Sequence, residues 1–543
     1  AEKLALSLTQ EFPKHQFGWK ALGAVLKQTG RLNESLTSMQ KAVELSPQDA
    51  EAHNNLGATL NDLGKLEEAE ASYRQAIKLS PDYAEAHSNL GVVLQELGRL
   101  KEAEVSYIQA IALKPDYAGA YVNFSLAIKN VRFKSSNPKL YPPLIKLLTI
   151  GNFTRPMDMA RSILSLLKHD PLIKGLLAEK NTALNRQKAI SNIEVFNKLS
   201  LLNHLMHLCP LPDLQFEEFF VAMRSFVLKN LEKIEASPEL IFFLSSLSLQ
   251  CFTNEYVYYE SDEESQLIQS LETRIAHTIT QSKQLEPIKA LTLASYRPLH
   301  QYDWCHKLEA LDNLKEVKKR LIEEPLAERE IAKKITMLGE ISDDVSLKVR
   351  EQYEENPYPR WVKLAIPIKA KPIAAVCDEL KLQLHSESIR NVTAPSILVA
   401  GCGTGQHSIG TASRFSNCHV TAVDLSLASL AYAQRKSNEL GFTNIDYLQA
   451  DILQLYQIGK EFDIIESSGV LHHMHDPMAG WRVFVDLLKP GGLMKIGLYS
   501  ELARQHIVEA RKEIASLGLG TSATEIRNFR ELLSCLLYTS PSP

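Results

Sequence analysis

Three patterns of hydrophobic and polar positions follow one another along the 543-residue chain. Over residues 16–117 one pattern repeats every 34 residues. From about residue 135 to 340 apolar residues recur at helical spacing, as in MARSILSLLKHD, without a repeat. After Pro395 short apolar runs alternate with helical segments, which is typical of βαβ units. The patterns predict an α-solenoid, a helical connecting region and an α/β Rossmann-like domain.

The repeated part has small residues and prolines at equivalent positions. Small residues let two antiparallel helices touch, the second glycine lies in a turn, and the proline ends the second helix. This spacing resembles the tetratricopeptide (TPR) repeat. The predicted solenoid covers 1–134, with full repeats at about 16–49, 50–83 and 84–117 and a closing helix at 118–134. The equivalent positions are Gly23, Gly57 and Gly91; Gly30, Gly64 and Gly98; Ala42, Ala76 and Ala110; Pro47, Pro81 and Pro115.

Within the TPR class these repeats most resemble the superhelix of O-GlcNAc transferase. The resemblance includes an asparagine before Leu-Gly, at Asn55 and Asn89, and Asn123 in the closing helix. Equal spacing stacks these amides along the concave face, and an amide both donates and accepts hydrogen bonds. The resemblance therefore implies a ladder that binds the backbone of a peptide or partner protein. Alternatively, the amides hold neighbouring helices together.

The middle region, 135–340, is predicted to be all-helical. Asp213 and Ser237 stand where helix N-caps stand. Two aromatic stretches, NEYVYYESDEE (254–264) and YRPLHQYDW (296–304), either line a substrate cleft or belong to the core.

A glycine loop follows the first apolar run of the last region. SILVA predicts a buried strand, GCGTG (401–405) a turn, QHSIGTASRF a helix, and HVTAVD a second strand that ends in Asp424. Glycine lets a nucleoside-bearing ligand approach the backbone N–H groups. A dinucleotide site needs GxGxxG, whereas this loop reads GxGxG with Gln406 next. A nicotinamide-dependent oxidoreductase is therefore the weaker alternative.

The order of later motifs resembles the class I S-adenosylmethionine-dependent methyltransferases with GCGTG and LHH signatures, over about residues 340–500. A third strand precedes Asp451, a fourth precedes the LHH loop, and a fifth, LMKIGLYS, follows a GG turn at 491–492. The resemblance implies that S-adenosyl-L-methionine is the cofactor. Its candidate binding residues here are Gly401, Gly403 and Gly405 for the methionine part, Asp424 for the ribose, Asp451 and Ile452 for the adenine, and the adjoining Cys402 and Leu425.

One position differs from the sequence pattern of this family. The family usually has an acid at the third position of ILVAG, where Val399 stands, and that acid helps to organise the loop and the ammonium group of the cofactor. Since the other motifs are present, we interpret the site as working with a substituted anchor. The alternative is a TPR scaffold whose methyltransferase domain binds the cofactor but is catalytically inactive.

Two features beside the expected cofactor site bear on catalysis. His472 and His473 follow the fourth strand, and either is a candidate general base, although a purely structural loop is as good an interpretation. HHMH at 472–475 lacks further residues at ligand spacing, so no metal is expected. Upstream, YEENPYPRW (353–361) is either a lid that brings Arg360 to an acidic acceptor or a linker packed by its aromatic residues.

Composition and charge limit which partners and which compartment we expect. The net charge of −4 gives no reason to expect nucleic acid, and no apolar run is long enough for a membrane span. Seven scattered cysteines without a CxxC pair favour a reducing compartment, and so a cytoplasmic location. The methyl acceptor stays open, because a protein side chain, a metabolite and a lipid-linked group all fit.

Both ends of the chain carry a further expectation. The chain begins at Ala1 without a methionine, and LLYTSPSP (536–543) resembles a non-native tail. Class I relatives add two strands after the fifth, whereas two helical segments are predicted beyond Ser500. We therefore expect an incomplete methyltransferase domain at 341–535 that binds the cofactor poorly and transfers no methyl group.

Overall fold

The computed structural model describes residues 1–177, 185–355, 357–500, 502–520, 522, 524–530 and 532. The chain divides into two compact units, Ala1–Asp170 and Pro171–Pro543. The predicted tail, 536–543, lies outside the described residues.

Helices in antiparallel pairs build the first unit. Each TPR repeat contributes one pair, and the glycine between its helices has φ near +75°, as at Gly30 (+76°) and Gly64 (+73°). This left-handed conformation suits glycine in a helix-ending turn. The helices are α1 Glu2–Glu11, α2 Gln16–Gln28, α3 Leu32–Leu45, α4 Ala50–Asp62, α5 Leu66–Leu79, α6 Ala84–Glu96, α7 Leu100–Leu113, α8 Ala118–Ile128, α9 Tyr141–Thr149 and α10 Pro156–Leu167.

Close packing explains why the first glycine of each repeat lacks a side chain. A Cβ on Gly57 would lie 2.8 Å from the ring of Tyr73, and one on Gly91 would lie 2.6 Å from the ring of Tyr107. Both tyrosines are buried, so neither ring can move aside without disturbing the core. The α-solenoid predicted from the 34-residue period is confirmed.

The second unit begins with a helical region. Asp213 accepts a hydrogen bond from the Gln215 N–H and Ser237 accepts one from the Leu240 N–H, so both are N-caps as predicted. A π-helical turn at Lys319–Glu323 precedes the last helix. The helices are α11 Pro171–Leu177, α12 Arg186–Asn197, α13 Ser200–Leu208, α14 Leu214–Lys229, α15 Pro238–Thr253, α16 Asp262–Thr280, α17 Pro287–Ala294, α18 Lys315–Lys318 and α19 Glu324–Ala332.

A parallel sheet with the order β1-β4-β3-β2-β5-β6 forms the rest of the second unit. It confirms the Rossmann-like class. The strands are β1 Thr336–Leu338, β2 Ser396–Ala400, β3 His419–Asp424, β4 Ile445–Ala450, β5 Phe462–Ser468 and β6 Leu488–Gly497. The accompanying helices are α20 Asp344–Glu355, α21 Ile373–Glu379, α22 Gln406–Arg414, α23 Leu427–Glu439, α24 Pro477–Leu487 and α25 Gln505–Ser516.

Two strands differ from the sequence-based prediction. β1 lies within the stretch predicted to be all-helical, because three residues are too few to show an alternating pattern. β6 already begins at Leu488, since the predicted glycine turn is an irregularity within the strand, where Gly491 has φ +77°. Beyond Gly497 the described residues contain no further strand.

Candidate functional site

A cavity of about 340 Å³ lies at the carboxyl ends of β2, β3, β4 and β5. Ligands of parallel α/β sheets bind at this edge, and the volume falls in the range of small-molecule sites. The structure brings six of the predicted cofactor residues to its wall: Gly401, Gly403, Asp424, Leu425, Asp451 and Ile452. Cys402 and Gly405 lie outside the wall.

The three loop glycines have positive φ for different reasons. Gly401 (+73°) faces Val470, whose Cγ2 would lie 2.2 Å from an added Cβ. Gly405 (+89°) packs against Ala433 and starts α22. Gly403 (+51°) has nothing within 4 Å of a hypothetical Cβ, which would therefore extend into open space beside the cavity. The bare backbone at Gly403 is the part of the loop open to a ligand.

The Asp424 carboxylate connects the loop with the end of β3. Its Oδ2 accepts a hydrogen bond of 2.8 Å from the Gly403 N–H, and its Oδ1 accepts one of 3.1 Å from the Ser426 N–H. Burial raises the pKa of Asp424, although these backbone donors oppose the rise. Asp424 thus lines the cavity and fixes the loop at the same time.

The remaining predicted cofactor residues divide between the cavity and the core. The Asp451 carboxylate accepts a hydrogen bond from the Leu453 N–H and so caps the 3-10 helix Ile452–Ile458, and Ile452 adds a buried apolar side chain. Leu425 accepts a hydrogen bond from the Gln449 amide through its carbonyl. The Cys402 side chain instead packs in the core, where burial raises the pKa of its thiol.

Glu466 supplies a buried carboxylate beside the position where Val399 replaces an acid. Val399 on β2 pairs in register with Glu466 on β5, so both side chains lie on the same face of the sheet. Burial opposes ionisation of Glu466, but hydrogen bonds from His407 (2.9 Å) and Thr411 lower its pKa to about 2. Sequence reasoning missed this residue, although an acid within the apolar strand FDIIES was its signal.

The segment 353–361 covers part of the cavity but does not bring Arg360 to it. Tyr353 and Tyr358 line the wall. Thr404 donates a hydrogen bond of 2.8 Å to the Pro359 carbonyl. The Arg360 guanidinium donates instead to Glu255, at 2.7 Å, in the helical region. One residue of the segment, Asn356, lies outside the described residues.

Of the two candidate bases, His473 lines the cavity and His472 packs behind it. The His472 ring lies 4.2 Å from the His473 ring and 4.0 Å from the Tyr499 ring, measured between centroids. Burial lowers the pKa of both histidines, and the charges of Arg504 and Arg511 lower it further. Both imidazoles are therefore neutral near pH 7, the state in which a histidine accepts a proton.

The two aromatic stretches of the helical region meet each other. The Tyr296 hydroxyl donates a hydrogen bond of 2.6 Å to Glu264, and Arg297 forms two short hydrogen bonds with Glu260. Tyr296 and Tyr258 are buried. These residues form a packed interior, and none of them lines the cavity described above.

Two amides of the asparagine ladder hydrogen-bond across neighbouring helices. Asn89 donates to the Asn54 Oδ1 at 3.1 Å, and Asn123 donates to the Ser88 Oγ at 3.3 Å. Each bond joins one repeat to the next, which is the alternative role considered for these residues. These amides can then bind a peptide only through the N–H and carbonyl positions that the bonds between helices do not use.

Family models match both parts of the chain. Residues 397–492 match a methyltransferase domain. Residues 23–62 and 59–98 match a TPR repeat, and residues 84–117 match a tetratricopeptide repeat.

Curated relatives match over part of their length. An uncharacterized protein of Synechococcus sp. is 37% identical over 124 residues, 23% of this chain and 30% of the relative. A probable (S)-tetrahydroprotoberberine N-methyltransferase of Papaver bracteatum is 32% identical over 97 residues, 18% of this chain and 27% of the relative. A ubiquinone biosynthesis O-methyltransferase of Marinobacter nauticus is 32% identical over 127 residues, 23% of this chain and 51% of the relative. This chain thus spans 27% to 51% of the length of these three relatives.

Solved structures are similar over short parts as well. The first TPR of Spaghetti (RPAP3), bound to an HSP90 peptide, has 22% identity and a TM-score of 0.20, covering 21% of this chain and 89% of that one. PKMT2 from Rickettsia typhi, in complex with AdoHcy, has 20% identity and a TM-score of 0.23, covering 27% of this chain and 30% of that one. The family models and the observed fold show that the chain carries tetratricopeptide repeats followed by a methyltransferase domain.

Proposed function

We propose that this protein is a class I S-adenosylmethionine-dependent methyltransferase that uses its TPR repeats to recruit a peptide or partner protein. The observation that carries the proposal is the cavity at the GCGTG loop, with Asp424 bound to the Gly403 N–H in its wall. The matched methyltransferase domain covers the same residues.

The residues around the cavity suit this cofactor. Gly403 leaves open space where any side chain would intrude, and an amino acid part would lie against its backbone. Asp424 would accept hydrogen bonds from ribose hydroxyls, and Asp451 with Ile452 would flank the adenine. When bound, S-adenosylmethionine supplies a methyl group on a positively charged sulfur.

His473 is the proposed general base for an acceptor that must lose a proton. It lines the cavity, and its lowered pKa keeps it able to accept a proton at neutral pH. His472 contacts the rings of both His473 and Tyr499 in tilted arrangements, and it would help to hold the His473 ring in place. Tyr353 also lines the cavity, and its ring would shield the reacting groups from water.

The pH dependence of turnover tests the role of His473. Replacement by Gln should lower turnover on the order of 100-fold while leaving cofactor affinity unchanged. In the wild type, the acid limb of the kcat/KM profile should lie below pH 6.5, because the pKa of His473 is lowered from 6.5. A profile without an acid limb, or a His473→Gln variant with full turnover, would exclude this role.

The alternative of a TPR scaffold with an inactive methyltransferase domain differs from this proposal only because it lacks catalysis. Val399 removes an acid from the loop-bearing strand, and its partner on β5, Glu466, is a buried carboxylate that His407 and Thr411 hold outside the cavity wall. The support for a working site is the cavity itself, with Asp424 and His473 in its wall. The nicotinamide alternative has less support, because Gln406 stands where a dinucleotide fingerprint has glycine.

Two measurements separate these functions. Isothermal titration of the full chain with S-adenosylhomocysteine and, separately, with NAD should show binding of the first alone. Labelled methyl transfer from S-adenosylmethionine into a native lysate should then give labelled products that the Asp424→Asn variant does not give. Binding without any transfer would support the scaffold, and binding of NAD alone would support the oxidoreductase.

The cellular compartment also belongs to the proposal. The six cysteines that the structure describes are unpaired thiols, and all six are buried. Free thiols suit a reducing environment, so we place the protein in the cytoplasm. Among the described helices, none has the length and apolar character that crossing a membrane requires.

A further inference from the structure

A short backbone segment, residues 359–362, joins the glycine loop to the helical region of the second unit. On the loop side, the Trp361 indole N–H donates a hydrogen bond of 2.9 Å to the Thr404 carbonyl. The Thr404 hydroxyl donates one of 2.8 Å to the Pro359 carbonyl. Thr404 lies between Gly403 and Gly405 and is 2% exposed, so the segment contacts the centre of the loop from its buried side.

The same segment is fixed to α23. The Trp361 N–H donates to the Tyr432 hydroxyl at 3.0 Å, and that hydroxyl donates back to the Trp361 carbonyl. The Lys436 ammonium donates to the Val362 carbonyl at 3.0 Å. Trp361 therefore has little freedom to move unless α23 moves with it.

On the other side, Arg360 is buried against the helical region. Its Nε donates to Glu255 at 2.7 Å, its guanidinium lies 4.8 Å from the centre of the Phe252 ring, and Glu328 is 3.9 Å away. A buried guanidinium is tolerated only with such partners, and removing one of them is strongly destabilising. Arg360 thus has a strong preference for one position.

Strained backbone holds Glu255 at the place where it meets Arg360. Glu255 and Tyr256 follow α15 with φ of +57° and +55°, in the left-handed region that residues with side chains rarely adopt. Such conformations cost about 1–3 kcal/mol each and persist where the surroundings enforce them. The neighbouring Asn254 side chain is buried with neither amide atom hydrogen-bonded within the described part of the chain.

The glycine loop needs external support because its glycines restrict the backbone little. We propose that Glu255, through Arg360 and Trp361, positions the cofactor loop, so that the helical region sets the affinity of the methyltransferase site. This inference rests on the proposed function. It adds three residues that position the glycine loop: Arg360, Trp361 and, in the helical region, Glu255. The chain of contacts runs from Glu255 to Arg360, along the backbone to Trp361, and from its indole to Thr404.

A double-mutant cycle tests whether these contacts act on the loop through one pathway. Glu255→Gln removes the charge opposite Arg360, and Trp361→Phe removes the donor to Thr404. Isothermal titration with S-adenosylhomocysteine should show about tenfold weaker binding for each variant, within the range of coupling between contacting residues. The double variant should be no weaker than the weaker single variant, because both changes interrupt one pathway. Fully additive losses would overturn the proposal.

Glu260→Gln is the matched control. Glu260 also belongs to the helical region, its side chain is 1% exposed, and it pairs with Arg297 rather than with the segment. This variant should lower the melting temperature as Glu255→Gln does, yet bind S-adenosylhomocysteine within about twofold of the wild type. Equal losses of affinity in the two variants would show a general effect of stability and would overturn the proposal.

Fluorescence of Trp361 tests the positioning without any ligand. When Trp19, Trp304 and Trp481 are changed to Phe, all tryptophan emission comes from Trp361. Glu255→Gln should then increase acrylamide quenching of its emission, whereas Glu260→Gln should not. If the wild type binds no S-adenosylhomocysteine, the proposed function fails, and the quenching result still decides the positioning: unchanged quenching in Glu255→Gln contradicts it.

Discussion

At the scale of single residues, Asp424 both lines the cavity and fixes the glycine loop. Its carboxylate accepts hydrogen bonds from two backbone N–H groups and also faces the cavity. We predict that Asp424→Asn weakens binding of S-adenosylhomocysteine more than tenfold, since charged hydrogen bonds contribute about 1.5–3 kcal/mol each. Isothermal titration measures the effect. The control is Asp446→Asn, at an exposed carboxylate on β4 that pairs with His419, and its affinity should be unchanged. Equal affinity in both variants would remove Asp424 from the ligand site.

Glu466 makes the stability of the fold depend on pH in the acid range. Its pKa is lowered from 4.5 to about 2, so ionised Glu466 stabilises the fold by about 3 kcal/mol at neutral pH. A lowered carboxyl pKa gives stability that is complete above pH 4.5 and is lost as the pH falls towards 2. Urea unfolding should show Glu466→Gln to be less stable by about this amount at pH 7, and the difference should shrink to about half at pH 3. A difference that is independent of pH would show that the charge of Glu466 contributes nothing.

The positions of residues could be predicted from the sequence where local patterns decide them. Gly401, Gly403 and Asp424 lie at the cavity, as predicted, because a tight turn and a strand end leave local patterns. Glu466 and the contact between Arg360 and Glu255 were not found, because they join residues far apart in the chain. The acid within FDIIES marks Glu466 as unusual, but only the fold shows which residues these side chains contact.

At the scale of elements, helices with a repeat were the most predictable. The 34-residue period follows from packing, since the equivalent glycine of each repeat leaves room for a side chain of the paired helix: Gly23 for Met39, Gly57 for Tyr73 and Gly91 for Tyr107. Strands were predictable when they were long and buried, as β2 and β3 are. β1 has three residues, and its pairing with β4 depends on a neighbour more than 100 positions away. Its formation is therefore decided by tertiary contacts rather than by local preference.

The asparagine ladder yields a prediction about helix α6. Asn89 donates to the buried Asn54, so Asn89→Ala should lower the free energy of unfolding by about 1 kcal/mol. Asn55→Ala, on α4, serves as its matched partner, because no side-chain hydrogen bond of Asn55 is found within the described residues. Its free energy of unfolding should change by less than about 0.5 kcal/mol. Urea unfolding measures both values.

The same pair of variants tests peptide binding. If the amides bind a peptide backbone, Asn55→Ala should weaken the capture of a recruited partner without loss of stability. If they act only between helices, Asn55→Ala should leave capture intact. Cofactor affinity should not change in either variant, because the repeats belong to a separate compact unit.

At the scale of the whole molecule, the tetratricopeptide repeats and the methyltransferase domain belong to two different compact units. The boundary between them falls at Asp170 and Pro171, within the stretch that the sequence predicts as one helical connecting region. Apolar spacing alone does not reveal such a boundary, because helices on either side have the same periodicity. The contacts each helix makes decide the unit to which it belongs.

This division predicts two separate unfolding transitions in calorimetry of the full chain. S-adenosylhomocysteine at about 100 times its Kd should stabilise one of the two unfolding units by about 2.7 kcal/mol. The midpoint temperature of the other transition should not change. Gly57→Ala should do the reverse: its Cβ would lie 2.8 Å from the Tyr73 ring, so it should lower only the transition that the ligand does not move. At the same ligand concentration, Asp424→Asn should reduce the ligand shift to about half or less without moving the other transition. A single transition that responds to both the ligand and Gly57→Ala would mean that the repeats and the methyltransferase domain unfold as one.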